Sequence, residues 1–319
     1  MTITEGQAKQ AFYTSIKKRF SRCLESTWSC ENASINSHSV QNATALSLIE
    51  EAGHVIEMRM NFSAQPPRPE LRSIGRNDAS TFPGFCQQHD TEIFKPIDTK
   101  PLDIEDEEQL FLLAYRSVSR ELLAVMDGAI RVQGGLNFLV ENGVVRSDET
   151  SAPMVQATVQ LLRSWGMYKY RNRFYDSAIL RKRFGQIKHS VFAIEGEKPV
   201  LAASSFFSVK PPKRPGHLFP GVSLNVVPMT QSKTVVVFSY ASDHSGDVRK
   251  YIAPIILAKG GAQKQRLSEM IVYRAENFFI SPSQVASWSE DKRRTIETTF
   301  IESMLKDVDP VESEALMLF

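Results

Sequence analysis

Cys23-Leu24-Glu25-Ser26-Thr27-Trp28-Ser29-Cys30 and, further along, Phe85-Cys86-Gln87-Gln88-His89-Asp90 together hold all three cysteines of the chain. Two histidines belong to the same region, His89 and His38, the latter within Ala33–Gln41. The spacing is Cys-x6-Cys-x7-His, a long gap, then Cys-x2-His. Thiolate and imidazole are the ligands zinc prefers, and four of them close a tetrahedral structural site. Two residues between Cys86 and His89 let both face one ion from the first turn of a helix. Taken singly, a free cysteine is a small buried hydrophobe and a lone histidine a structural residue. Taken together, Cys23, Cys30, Cys86 and His89 read as the ligands of a structural Zn2+, with His38 left over. The six residues between Cys23 and Cys30 exceed the two to four of an ordinary zinc knuckle.

Around this cluster the chain suggests a strand through Ala33–Ser37 with His38 at its end, and a helix over Cys86–Phe94. That arrangement resembles a treble-clef or HNH (His-Me finger) module. The pairing of INSHSVQ (35–41) with FPGFCQQHDTEIFKPID (82–98) is also similar to a family of bacterial zinc-binding proteins, over residues 20–120. That second resemblance brings no activity with it; the HNH resemblance implies a nuclease, which would suit a bacterial defence or toxin-like role. It makes His38 a general base, with a second divalent ion such as Mg2+ held partly by Asp90 or His89. Ser37 stands where the HNH pattern carries an acidic residue, and no second catalytic histidine follows unless His89 serves twice.

The 319 residues carry a net charge of +2, with 42% hydrophobic and 23% charged residues, the composition of a globular protein with enough chain for a sizeable core. An odd cysteine number and the lack of a signal-peptide pattern predict a reducing, cytoplasmic compartment. No apolar run approaches the roughly 20 residues that span a bilayer, so no membrane partner is expected. Proline residues 96 and 101 suggest a hinge. Two domains follow, a zinc-binding treble-clef/HNH-like module over 1–100 and a helical plus antiparallel-sheet domain over 101–319.

Periodicity predicts an α+β fold. An amphipathic helix is expected over 5–22, and a second after Ser39 with Ala45, Leu48, Ile49 and Ala52 on one face, ending at Gly53. His54–Phe62 alternates as a strand, and 64–84 reads as a Pro- and Gly-rich loop. Central helices are expected over Glu105–Met126, which stops short of the Gly134-Gly135 pair, and over Pro153–Phe184. Val191–Ile194, Pro199–Phe207, Val222–Val227 and Thr234–Tyr240 read as two hairpins, giving an antiparallel sheet of about four strands in one helix-covered layer. Helices over 246–259, 263–279 and 283–305 precede a frayed tail, 307–319.

Charge is unevenly placed. Residues 163–188 hold eight bases against Asp176 alone, interleaved with Trp165, Tyr168, Tyr170, Phe174 and Tyr175. Arg171, Arg173, Arg181, Lys182 and Arg183 could track a phosphate backbone while aromatics stack on bases. The alternative is a solvated helix whose aromatics face the core. No Walker loop, G-x-G-x-x-G or G-x-S-x-G is present. Two functions therefore stand side by side. One is a zinc-stabilised nucleic-acid hydrolase. The other is a non-catalytic zinc-stabilised module that recognises a protein or small ligand.

Overall fold

The structure is a computed structural model that describes residues 11–61, 63–64, 66, 68–146, 150–211, 217–306 and 310–319. In chain order it runs α1 (residues 11–15), β1 (Ile35–His38), β2 (His54–Asn61), β3 (Arg68–Gly75), β4 (Thr81–Phe85), α2 (Gln87–Asp98) and α3 (Glu107–Glu141). There follow α4 (Ala152–Arg171), a π-helical turn (Asn172–Asp176), α5 (Ser177–Leu180), β5 (Ile187–Glu195), β6 (Leu201–Ser208), β7 (Gly221–Thr230) and β8 (Lys233–Ala241). The chain ends with α6 (Ser245–Leu257), α7 (Gly260–Arg274), β9 (Phe278–Ile280), α8 (Pro282–Ala286) and α9 (Glu290–Leu305). Parts of several expected features, residues 5–10 of the first helix, 62 of the strand His54–Phe62, 65 and 67 of the loop 64–84, 212–216 before β7 and 307–309 of the tail, lie outside the described residues.

The fold is α+β, as the periodicity implies, but its main sheet is larger than expected. Seven antiparallel strands pair in the order β3-β2-β9-β6-β7-β8-β5, and β1 and β4 form a separate two-stranded ribbon. Of the two expected hairpins, β7–β8 forms, but β5 does not pair with β6. Instead β5 pairs along its whole length with β8, from Ile187↔Ala241 to Glu195↔Lys233, and β9 enters between β2 and β6. Three residues are too few for β9 to show a period. The expected loop over 64–84 contains both β3 and β4. Pro69 disguises β3, yet it sits on the edge strand, where a missing N–H costs no ladder bond.

Both faces of the sheet are covered, not one. Val235, Val237 and Phe279 pack with Leu110, Phe111, Leu113, Ala114 and Val118 of α3 in one core. Their neighbours Val236, Phe238 and Ile280 pack with Ile252 of α6, Leu267 and Ile271 of α7 and Ile296 and Phe300 of α9 in the other. Alternation of side chains across the pleat explains this division, because each central strand is apolar on both sides.

Asp106 starts α3, its Oδ1 accepting from the backbone N–H groups of Glu108 and Gln109 at 2.9 and 3.2 Å. The helix then runs through Gly134-Gly135 without a break. A Cβ at Gly134 would stand 2.3 Å from the Ser15 carbonyl oxygen, so this glycine lets α1 lie directly on α3. The helix expected after Ser39 shrinks to one 3-10 turn, Leu46–Leu48, and the chain reverses at Ala52 and Gly53 with φ of 50° and 79°. The C-terminal residues Leu316 and Leu318 are buried against α7 and α9 instead of fraying.

The excursion between β1 and β4 carries β2 and β3 into the large sheet. Residues on both sides of the expected boundary at 100 therefore share one sheet and one core. Pro96, expected at a hinge, lies within α2.

Candidate metal centre

Three short segments converge at the start of α2. The loop after α1 brings Cys23 and Cys30, the end of β4 brings Cys86 as the residue before the helix, and the first turn of α2 brings His89. Their ligand atoms all lie within 4.8 Å of one another. Cys23 Sγ is 3.5 Å and Cys86 Sγ 3.4 Å from His89 Nδ1, and Cys30 Sγ is 3.9 Å from Cys86 Sγ. A tetrahedral ion with metal–sulfur bonds of about 2.3 Å and a metal–nitrogen bond of about 2.05 Å needs edges of about 3.8 and 3.6 Å. The observed separations fit that polyhedron. They do not fit a disulfide, whose sulfurs lie about 2.05 Å apart, and all three cysteines are free. The four residues together can hold one metal ion.

Glu25, which sequence reasoning passed over, closes the wide Cys23–Cys30 gap. Its carboxylate accepts the backbone N–H groups of Thr27, Ser29 and Cys30 at 2.6, 2.6 and 3.1 Å and the Thr27 hydroxyl at 2.7 Å. Burial opposes its charge, but these donors hold its carboxyl below the ordinary value. The turn brings Trp28 to φ 61° and returns the chain so that Arg22 pairs with Ala33. The signal was legible as an acidic residue two before a hydroxyl residue inside the cysteine gap, the pattern of a side chain capping its own turn.

The thiols differ in their surroundings. Burial pushes Cys23 up to about 12, only partly relieved by the backbone N–H of Cys86 on its sulfur at 3.3 Å. Burial also acts on Cys86, but the His89 backbone and the neighbouring side chains bring it down to about 7. A bound cation would favour the thiolate form of both, because only the deprotonated sulfur ligates metal.

His38 stands outside this set, at the end of β1. Its Nδ1 lies 2.9 Å from the Ala79 carbonyl, which can only accept, so Nδ1 carries the proton and Nε2 the lone pair. Burial, then Arg116, lowers its pKa, while Asp90 and Asp98 act in the opposite sense. Asp90 is in the first turn of α2 and is half-buried. Burial raises its carboxyl and Arg116 lowers it. Ser37 Oγ and Asp90 Oδ1 are both buried, and the Ser37 hydroxyl also lowers the carboxyl. Arg116, 3% exposed, donates to both oxygens of Asp98 at 2.8 and 2.6 Å and lies over the Phe94 ring at 4.0 Å. Among the described residues, no second group of three ligand side chains forms.

The basic segment divides. Arg171 is fully buried, so it is no surface contact for nucleic acid. Its guanidinium donates to Asp176 Oδ1 at 3.0 Å, to Tyr115 Oη at 2.8 Å and to the Leu24 carbonyl beside Cys23. Tyr115 in turn donates to Asp176 at 3.0 Å, and Trp28 Nε1 reaches the other oxygen at 3.4 Å. In an α-helix residues five apart point about 140° away from each other. The π turn, with its i→i+5 bonding, returns Asp176 to the side of Arg171. Sequence periodicity treats the segment as one regular helix and so turns Arg171 outward. Arg173, Arg181, Lys182 and Arg183 are exposed.

No helix among the described residues is long and apolar enough to cross a membrane. No protein-family model, curated protein or solved structure matches the chain.

Proposed function

We propose that the Cys23, Cys30, Cys86 and His89 set binds structural Zn2+ and that the protein is a zinc-braced hydrolase of nucleic-acid phosphodiesters, with His38 as general base. The observation that supports it is the place and state of His38. The β1–β4 ribbon leads into α2 as in a treble-clef or HNH module, and the four ligands tie the β4–α2 junction to the Cys23–Cys30 loop. At the far end of β1, the Ala79 carbonyl orients the imidazole, and a lowered pKa keeps Nε2 unprotonated near neutral pH. A base in that form can accept a proton from attacking water. Asp90 and Asp98 favour the imidazolium that results. Zinc, when bound, is closed off by four protein ligands, so it supplies rigidity and not a reactive water.

One observation favours the second reading, a non-catalytic zinc-stabilised module for a protein or small ligand. The ion that HNH chemistry places beside its histidine has no second ligand group here among the described residues. Elemental analysis and a cleavage assay on wild type and His38→Ala separate the two. The hydrolase reading expects stoichiometric zinc in both proteins and cleavage in the wild type alone, reduced at least 100-fold in the variant. Equal cleavage by His38→Ala removes the base, and no cleavage by the wild type with Mg2+ supplied leaves the binding module.

A further inference from the structure

The π turn that buries Arg171 also shapes the surface beyond it. Arg173, Ser177 and Arg181 follow at intervals of four and form one stripe along the turn and α5. A cleft of about 500 Å³ opens beside that stripe. Asn172, Arg173, Ser177 and Arg181 line one side, Gln186 returns from the turn after α5, and Ser242 and Asp243 approach from the end of β8. The return is made by Lys182, a non-glycine residue at φ 52°, with Arg183 N–H bonded to the Ala178 carbonyl at 2.9 Å. Left-handed backbone at a lysine costs on the order of 1 kcal/mol and is kept where a particular chain path is needed.

The cleft's chemistry is anionic recognition. Two guanidinium groups face one carboxylate, Asp243, and the Arg173–Asp243 pair is loose at 3.8 Å with both side chains more than half exposed. Arg181 has no ion-pair partner among the described residues. Amide and hydroxyl groups and the Phe174 ring complete the lining. Planar guanidinium forks match the tetrahedral oxygens of a phosphate. The larger cavity, about 580 Å³ beside α6 and α7, offers no such bias, since Asp247, Glu269 and Glu312 balance Lys210, Lys250 and Arg266.

We infer that this cleft binds a backbone phosphate of a single nucleic-acid strand, with Arg173 and Arg181 as the phosphate ligands; the identity of the strand rests on the hydrolase reading. The cleft is separate from His38, so binding and cleavage can fail independently.

The test is fluorescence anisotropy of a labelled single-stranded oligonucleotide with full-length His38→Ala, which leaves the strand intact. In that background Arg173→Glu with Arg181→Glu is compared with Arg266→Glu with Lys306→Glu, which makes the same change in net charge elsewhere. The expected result is an affinity at least tenfold lower for the cleft variant alone. Its salt dependence should also flatten by about 1.4 in slope, two single-strand phosphate contacts at about 0.7 each. Equal losses in both double variants, no loss in either, or no binding by the parent overturns the cleft. A strand bound through the cleft but never cleaved by wild type overturns the hydrolase reading alone. A strand cleaved by wild type but bound equally by the cleft variant overturns the cleft alone.

Discussion

Val236, Val237 and Phe238 in β8 are fully buried, between α3 on one face and α6 and α7 on the other. The loop from Cys23 to Cys30 meets the same core through Cys23, Leu24, Trp28 and Cys30, yet its path is set by polar contacts. Leu24 is buried, but the loop's shape comes from Glu25, from the cysteine sulfurs and from the Arg171 guanidinium on the Leu24 carbonyl. The sheet is held by area removed from water, a non-directional force that tolerates small errors of fit. The loop is held by a few directed contacts, each costly to lose singly. The difference teaches where the molecule should fail. Damage to the sheet should spread through a cooperative core, and damage at the metal ligands should first release the segment they tie down.

The largest effect is expected from the metal itself. With zinc bound as proposed, its binding contributes on the order of 10 kcal/mol to folding of the segment it closes. Chelation, or Cys86→Ser, should abolish hydrogen-exchange protection in β1, β4 and α2 while amides of β6–β8 remain protected. Uniform loss across both regions would show that the contrast is false.

Next comes the link between the regions. Arg171→Met leaves Asp176 buried without its counter-charge and should cost roughly 3–5 kcal/mol. Adding Asp176→Leu should recover much of that loss in urea unfolding, because two apolar groups can replace a buried pair. No recovery would mean that the π turn itself needs the ion pair.

Leu224→Ala in the sheet should cost about 3 kcal/mol through lost burial and a cavity, with metal content unchanged. A drop in bound zinc would join what the comparison separates.

Smallest is Glu121, in α3. Burial and Glu276 push its carboxyl up to about 8 from an ordinary 4.5, against the pull of Arg120. The fold therefore keeps a proton that the unfolded chain releases, so this group makes stability fall as pH rises from about 4.5 to 8. Glu121→Gln should raise stability near pH 8 by on the order of 1–2 kcal/mol and flatten that slope. An unchanged pH profile of thermal unfolding would place the carboxyl in water.

Much of this was legible in the chain. The residues that could hold a metal announce themselves by type, and β6–β8 by apolar runs that suit a sheet buried on both sides. What stayed hidden depends on partners far away in sequence. Gly134 resembles a helix breaker until Ser15 is seen to occupy the space of its Cβ. Arg171 belongs to a basic face until the π turn and Tyr115 draw it inward. Residues 68–75 read as a loop because Pro69 and three charged residues suit an edge strand and a turn alike. His38 was visible as a residue apart from the ligands, but its tautomer depends on Ala79, across the ribbon.

The pairing of β2 with β9 also sets a timetable. Ile56 lies opposite Ile280, so the β2–β3 hairpin leaves the ribosome long before the strand that flanks it exists. At ordinary rates of synthesis the wait is roughly 10–40 s. During that interval an unpaired strand edge is open to any other extended chain nearby. Release of a nascent polypeptide before Ile280, or a crowded overexpressing cell, should turn that delay into aggregation.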